Sequence, residues 1–286
     1  MEQNEKITIV ELLRKFVLKK GSQNKASTSL KVSSAVVSHL LSGNWEPYSD
    51  DIFRKIGAQV GHNSLEWKFA NTSNSERLLQ QLEQAKDSSK LMTIIAPAGS
   101  GKSEITKKFA DEHENTFRIE CGQYWDPFFF LNSILQQMNV VSSAQKPAYM
   151  LEEIFDHVLK LENPQIIIDE IDKVDDKVLA YLITFYNKLF KKCSIVILAT
   201  NYLVKRINDG VRLQKKGYNE IKSRFGRYYE FEPTTAQDVK IMCETQGITD
   251  VETIKEIAKQ SRGDFRIVRD LIEEVLENET RKLIAK

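Results

Sequence analysis

The sequence predicts an α/β fold built on a parallel sheet and preceded by a small all-α unit. Two observations predict the sheet. The apolar run 91–95 leads into a glycine-rich turn, and the run 165–170 holds three isoleucines followed by two acids. Strands that are buried on both faces of a parallel sheet have such uninterrupted apolar runs. A third observation, apolar residues at helical spacing near the N terminus, predicts the all-α unit.

The composition excludes several classes of protein. The chain has 286 residues, 41% of them apolar, which suits one large domain or two to three small ones. Its formal net charge is only +1, so any signal for nucleic acid must be regional. No apolar run approaches the length of a membrane span, and the N terminus lacks a signal peptide's pattern. Three widely spaced cysteines form neither a disulfide framework nor a metal-ligand spacing: Cys121, Cys193 and Cys243. We therefore expect a cytoplasmic protein with no membrane partner.

Residues 1–61 are predicted to form a separate helical domain. Five apolar residues repeat at helical spacing in its first helix: Ile7, Val10, Leu13, Phe16 and Val17. Two short helices, 22–30 and 33–41, follow on either side of a tight turn, and a last helix, 49–60, closes the domain. Ser33 or Ser34 is a candidate N-cap of the second short helix.

These short helices resemble the helix-turn-helix of the lambda-repressor-like family. The residues that carry the resemblance are Ala26, Leu30, Val32, Ser33, Val36, Val37, Leu40, Gly43 and Trp45. In that family the second helix enters the major groove. Here its outer face is rich in serine and lacks arginine, so it would discriminate bases weakly. The candidate DNA-binding residues are Lys25, Ser33, Ser34 and Ser38. A helical protein-interaction domain remains the alternative.

Residues 62–75 are polar and poor in helix formers, and they are predicted to link the helical domain to a core that begins at residue 76. The core opens with a predicted helix, 76–86. It is followed by the apolar strand that leads to the glycine-rich turn.

The segment Leu91–Ser103 has the strand, glycine-rich loop and following helix that a phosphate-binding loop requires. Glycines let the backbone turn its N–H groups toward an anion, and the start of the helix adds a positive dipole end. Lys102 can reach the phosphates, and the Ser103 hydroxyl can ligate Mg²⁺. The candidate cofactor-binding residues are Pro97, Ala98, Gly99, Ser100, Gly101, Lys102 and Ser103. Ala96 stands where this motif usually has its first glycine, but a strand end need not demand positive φ. A chance glycine turn is the alternative.

Polar residues end two of the predicted core strands. Asp169 and Glu170 follow the isoleucine run, at the carboxyl end where ligands bind in open α/β sheets. Asp169 would hold Mg²⁺, directly or through water, and Glu170 would polarise an attacking water. Asn201 ends the strand 194–200 and could position that water. The alternatives are a solvated acidic turn and a turn-forming asparagine.

The remaining core elements are predicted from their apolar pattern. The further strands are 117–121, 194–200 and 228–232, and the further helices are 128–138, 148–161, 175–190, 236–246, 251–261 and 264–283. The loop GQYWDPFFF after the second strand is predicted to bury most of its aromatic side chains. The alternative is a loop that contacts DNA or a neighbouring subunit.

Residues 76–286 resemble the AAA+ ATPases, on several motifs together. The matching motifs are the loop 99–103, the acidic pair, a sensor asparagine, a candidate arginine finger and a second sensor in a C-terminal helix. The residues at the last four are Asp169 and Glu170, Asn201, Arg224 (with Arg227 as a substitute) and Arg266. The resemblance implies a P-loop AAA+ core at 76–232, a helical lid at 233–286, ATP and Mg²⁺ as cofactors, and a homo-oligomer in which one subunit's arginine finger completes its neighbour's site.

Together with the N-terminal helix-turn-helix, these motifs resemble the transposon ATPases of the phage Mu B type. That resemblance implies ATP-dependent filaments on double-stranded DNA, little sequence preference, and presentation of target DNA to a transposase. Phosphate contacts would come from lysines, and the candidates in the core are Lys191, Lys192 and Lys205, with the basic segment 205–216. A solvated charged face is the alternative for each of them.

Two other functions are compatible with the same motifs. One is an AAA+ switch in a DNA-binding transcription regulator, which should place a base-reading arginine or glutamine on the second short helix, where 33–41 has none. The other is a secretion-type ATPase, against which the absence of a membrane-spanning run counts.

Overall fold

The computed structural model describes residues 3–60 and 67–284 of the chain. These residues fall into two compact units, divided after residue 68. Residues 62–66 of the predicted linker lie outside the described residues. In the described part of the chain, no helix is long and apolar enough to cross a membrane.

The N-terminal unit is all helical, as the sequence predicts. Its helices are α1 (Gln3–Lys20), α2 (Gln23–Leu30), α3 (Ser34–Leu41) and α4 (Asp50–Val60). The Ser33 hydroxyl caps α3 by accepting a hydrogen bond from the Val36 N–H, and α2 ends at Lys31 in the left-handed conformation. The core of the unit is formed by Ile9, Val10, Leu13, Leu30, Val37, Leu40, Phe53 and Ile56.

The second unit contains a five-stranded sheet in which all neighbouring strands are parallel, in the order β2-β3-β4-β1-β5. The strands are β1 (Leu91–Ile95), β2 (Thr116–Glu120), β3 (Gln165–Asp169), β4 (Ser194–Ala199) and β5 (Tyr228–Glu230). The three central strands β1, β3 and β4 are almost entirely buried, which explains their unbroken apolar sequences. The predicted α/β class and parallel sheet are confirmed.

Helices pack on both faces of this sheet. One face is covered by α5 (Ser73–Asp87) and α6 (Lys102–Glu112). The other face is covered by α7 (Pro127–Gln137), α8 (Pro147–Val158), α9 (Asp176–Leu189), α10 (Asn201–Arg212) and α11 (Tyr218–Phe225). The predicted C-terminal helices are α12 (Ala236–Thr245), α13 (Val251–Ser261) and α14 (Phe265–Ile284), which pack on one another.

Three features differ from the sequence-based expectation. The basic segment after β4 contains two helices, α10 and α11, that the sequence analysis did not predict. Helix α5 begins at Ser73, earlier than the expected residue 76. The aromatic loop is mostly not core: Phe130 is fully buried, but Tyr124, Phe128 and Phe129 are exposed.

The three cysteines are buried free thiols, and burial raises the pKa of each.

Candidate functional site

The loop between β1 and α6, residues 96–101, follows directly from the sheet. The Ala96 N–H donates to the carbonyl of Ala199 on the neighbouring strand at 3.0 Å, so Ala96 continues the strand pairing. Its φ is not positive, which is why alanine is accepted where the motif usually has glycine. Gly99 and Gly101 have φ values of 73° and 81°. These are conformations that glycine adopts without strain.

The loop leaves its polar backbone groups available to a ligand. The N–H groups of Ala98, Gly99, Ser100 and Gly101 donate to no group in the described residues. The Ser100 hydroxyl is buried and likewise has no partner among the described atoms. A buried hydroxyl without a partner is costly, and successive unbonded N–H groups in one turn form an anion-binding concavity, so the loop points to a ligand that accepts hydrogen bonds.

Lys102 stands at the start of α6, and its side chain is buried. Its ammonium group donates to the carbonyl oxygens of Pro97 at 3.2 Å and Ala96 at 3.5 Å. Burial lowers the pKa of Lys102, and the charges of Asp169, Asp172 and Glu170 act in the opposite direction. The ammonium is therefore held over the loop, close to a group of carboxylates.

Asp169 ends β3 and lies fully buried against the start of α6. The Ser103 hydroxyl donates to Asp169 Oδ2 at 2.7 Å, so the structure brings together the two predicted metal-binding residues. A third residue, Arg118 of β2, donates from Nη2 to the same oxygen at 2.8 Å. The sequence analysis missed Arg118. The signal in the sequence was an arginine placed between Phe117 and Ile119 within the predicted strand 117–121.

Glu170 follows Asp169 with a left-handed backbone (φ 56°), and its N–H donates to Asp169 Oδ1 at 2.9 Å. Its carboxylate forms an ion pair with Lys173, three residues later. The predicted catalytic base therefore lies at the site but is engaged with a lysine in this structure.

Asn201 is exposed and begins α10, so it does not end the strand as expected. Thr200 caps the helix instead, and its hydroxyl donates to Asp172 Oδ2 at 2.5 Å. Asp172 thereby joins the end of β4 to the turn after β3. The structure places Asn201 at the carboxyl end of β4, adjacent in sequence to this link.

The start of α14 lies directly against the phosphate loop. The Phe265 N–H donates to the Gly99 carbonyl at 2.8 Å. A side chain at residue 99 would collide with Asp264, because a Cβ there would lie 2.0 Å from Asp264 Oδ1. Arg266, the predicted second sensor, is exposed in the first turn of α14, and its positive charge contributes to lowering the pKa of Lys102.

The donor set fits a magnesium ion bound together with phosphates. Among the described residues, no three His, Cys, Asp or Glu side chains gather as a metal cluster. Mg²⁺ is usually held by one or two carboxylates together with substrate phosphates and water, so a single carboxylate next to the Ser103 hydroxyl suits it. Asp169 and Ser103 would hold the ion, with the remaining ligands from phosphate oxygens and water.

The two candidate arginine fingers have different surroundings. Arg224 donates to Glu220 Oε2 at 3.0 Å and lies over the Tyr186 ring, 5.1 Å from its centroid. Arg227 is exposed, and no ion pair to it occurs in the described residues. In this structure Arg224 is therefore held by contacts within the chain, whereas Arg227 is exposed to solvent.

A network at the N terminus of α9 was also missed. Asp176 accepts hydrogen bonds from Tyr218 Oη at 2.6 Å and Arg206 Nη2 at 2.6 Å, and Lys215 Nζ lies 3.1 Å from its other oxygen. Although burial acts against it, this network lowers the pKa of Asp176 to about 2. The residues lie beside a cleft of about 780 Å³ near the end of β3. Two cations of the basic segment, Arg206 and Lys215, therefore already pair with Asp176 within the chain.

The candidate DNA-binding residues are on the surfaces of the two units. All of them are exposed: Lys25, Ser33, Ser34, Ser38, Lys191, Lys192 and Lys205. The Ser33 hydroxyl accepts the α3 capping bond, which leaves its O–H donor and one lone pair for a ligand.

Comparison with known proteins finds a similarity within the second unit. Residues 85–207 match the family model described as an AAA domain, a span that holds the phosphate loop, Asp169 and Glu170. No curated protein matches the chain. Among solved structures, the Thermotoga maritima RuvB Holliday junction branch migration motor is 21% identical, with a TM-score of 0.46, over 73% of this chain and 63% of that chain. A structure of Drosophila ORC bound to DNA is 17% identical, with a TM-score of 0.43, over 68% of this chain and 52% of that chain. The chain spans less than two thirds of the length of these structures.

Proposed function

We propose that the chain is a DNA-binding AAA+ ATPase, since its α/β core carries an AAA domain over residues 85–207. The observation that carries the proposal is the set of unpaired loop N–H groups facing the same site as buried Lys102 and the Ser103–Asp169 pair. A triphosphate would accept hydrogen bonds from these N–H groups and neutralise the Lys102 ammonium.

Each site residue has a role in this proposal. Lys102 would bind the β- and γ-phosphates, Ser103 and Asp169 would hold Mg²⁺, and Glu170 would orient and polarise the attacking water once it is released from Lys173. Mg²⁺ held by Ser103 and Asp169 would supply positive charge that offsets the negative charge developing on the phosphates. Asn201 would help to position the water.

The C-terminal helices would act as a lid that senses the nucleotide. Helix α14 contacts the phosphate loop at Gly99 through Phe265 and Asp264. A nucleotide bound in the loop would therefore lie next to this contact and could shift the position of α14. Arg266 would then reach the γ-phosphate in the same subunit. The proposed domain bounds are 1–61 for the N-terminal domain, 62–75 for the linker, 76–232 for the core and 233–286 for the lid.

Assembly would complete the site. Arg224, or Arg227 in its place, would be inserted into the neighbouring subunit's site, where an arginine finger is worth about 10³–10⁵ in rate. A homo-oligomer follows from this requirement, because one subunit alone lacks the finger, and a filament on DNA is the form of oligomer that we propose.

DNA binding is supported by the exposed lysines and by the exposed hydroxyls of α3. Lysines hold phosphates irrespective of sequence, and hydroxyls discriminate bases weakly, so the preference would be for duplex DNA in general. We further propose that the protein selects target DNA for a transposase and stimulates it, as in the transposon ATPases that the sequence resembles. The contrasting role, a switch in a transcription regulator, would require binding to a particular sequence.

The proposal is tested by electron microscopy of the protein with plain duplex DNA, with and without a non-hydrolysable ATP analogue. Wild type should form decorated filaments only with the analogue, and Lys102→Ala should form none because its loop no longer holds the triphosphate. Lys107→Ala, which removes an exposed lysine from the same helix, is the matched control and should behave as wild type. Filaments of Lys102→Ala in the presence of the analogue would contradict the coupling of nucleotide to assembly.

A further inference from the structure

Arg118 occupies an unusual place beside the phosphate loop. It lies on edge strand β2, yet its side chain is only 15% exposed. Its Nε donates to the Thr106 hydroxyl of α6 at 3.0 Å, while Nη2 donates to Asp169 Oδ2 at 2.8 Å and to Glu120 Oε2 at 3.0 Å. The planar guanidinium is thereby fixed between the helix that follows the loop and the strand that carries Asp169.

These contacts determine which oxygen of Asp169 remains available. Oδ2 accepts hydrogen bonds from Ser103 Oγ and from Arg118 Nη2, which use both of its lone pairs. Oδ1 accepts only the Glu170 N–H in the described structure, so it keeps one free lone pair. A metal ion, or a water bound to it, can therefore reach Asp169 at Oδ1 without displacing any protein contact.

The charge of Arg118 has a second consequence. Asp169 is fully buried, and a buried carboxylate is costly unless a cation compensates it. Arg118 supplies that compensation through its ion pair. The same positive charge opposes the approach of a divalent cation to the carboxylate.

We infer that Arg118 is a positioning residue for Asp169, and this rests on the proposed nucleotide site. Arg118 holds Oδ2 so that Oδ1 faces the metal, and its charge raises the Mg²⁺ concentration that the site requires. Substitution can separate the effect of geometry from the effect of charge. Lysine keeps the positive charge, but it lacks the planar guanidinium that donates to Thr106 and Asp169 at the same time.

The test is the Mg²⁺ concentration that half-saturates binding of a fluorescent non-hydrolysable ATP analogue, with the analogue's affinity in EDTA as a second readout. Arg118→Gln should lower the half-saturating Mg²⁺ concentration by about threefold to tenfold, because the competing cation is gone. Arg118→Lys should stay within about twofold of wild type in that measurement, yet turn over more slowly because Asp169 is less well oriented. Affinity in EDTA should be unchanged in both variants.

An Mg²⁺ requirement that is the same in Arg118→Gln as in wild type would overturn the inference, and so would equal shifts in Arg118→Gln and Arg118→Lys. If Arg118→Gln does not fold, Glu120→Gln keeps the test decisive. Glu120 is exposed and accepts from the other N–H of Nη2, so its carboxylate partly offsets the Arg118 charge; its neutralisation should raise the Mg²⁺ requirement, and an unchanged value would overturn the inference. Failure of wild type to bind the analogue at any Mg²⁺ concentration would instead reject the proposed function.

Discussion

At the scale of single residues, the site depends on backbone positions that only glycine fits and on one buried carboxylate. The motif Gly-Ser-Gly-Lys-Ser predicted the loop correctly. A tight turn with positive φ needs glycine at particular positions, and this local requirement can be recognised in the sequence without knowledge of the fold. Arg118 could not be predicted as a partner of Asp169, since the two are distant in sequence and meet only through the pairing of β2 with β3. The side-chain partners of a site depend on such register, which a single sequence does not reveal.

Gly99→Ala should reduce nucleotide affinity and destabilise the fold. Its φ of 73° disfavours alanine, and the added Cβ would lie 2.0 Å from Asp264 Oδ1, so the Asp264 side chain would have to move and give up the hydrogen bond that it accepts from the Arg266 N–H. We expect a loss of about 1–3 kcal/mol in the free energy of unfolding. Gly247→Ala is the matched control, because Gly247 also has a positive φ but open space around it. Equal losses of stability in the two variants would show that the contact with Asp264 contributes nothing.

At the scale of elements, the central strands were predicted well because burial on both faces leaves an unambiguous apolar run. Helices α10 and α11 were missed because the segment was read for its basic charge, although the buried Leu203, Ile207 and Gly210 of α10 recur at the i, i+4, i+7 spacing of a helix. The aromatic loop was predicted as core from composition, but the start of α7 leaves Phe128 and Phe129 at the surface. Apolar content alone does not determine which side of a helix faces the sheet.

The Asp176 network should stabilise the packing of α9, α10 and α11 in a pH-dependent way. Asp176→Asn is expected to cost about 1 kcal/mol, or about 2–4 °C in Tm, at neutral pH. The pKa of Asp176 is lowered to about 2 in the folded protein, below its ordinary value of 3.8. The stabilisation is therefore complete above the ordinary value and is lost as pH falls through about 2. Thermal melts of both proteins from pH 7 to pH 2 measure this.

The matched control for that network is Asp209→Asn. Asp209 forms an exposed ion pair with Arg212 on α10, so its loss should change the free energy of unfolding by less than about 0.5 kcal/mol. A gap between wild type and Asp176→Asn that stays constant down to pH 2 would contradict the assigned role of the Asp176 charge.

At the scale of the whole molecule, the proposal connects hydrolysis to assembly through an arginine from the neighbouring subunit. Arg224→Ala should leave nucleotide affinity near that of wild type but remove most DNA-stimulated turnover, a fall of about 10³-fold or more. Steady-state phosphate release with and without duplex DNA measures it. Arg77→Ala, which removes an exposed arginine that pairs with Glu232 and lies outside the proposed DNA-binding residues, should be close to wild type. If turnover persists in Arg224→Ala and falls in Arg227→Ala, the finger is Arg227; if it persists in both, neither arginine has this role.

The central claim is that a triphosphate binds in the loop 96–103 and faces the carboxylates at the end of β3. The most direct measurement is an experimental structure of the protein with Mg²⁺ and a non-hydrolysable ATP analogue. We expect Lys102 within hydrogen-bonding distance of the γ-phosphate, the N–H groups of residues 98–101 around the phosphates, and Mg²⁺ beside Ser103 and Asp169. Nucleotide bound elsewhere, or these side chains turned away from it, would contradict the account.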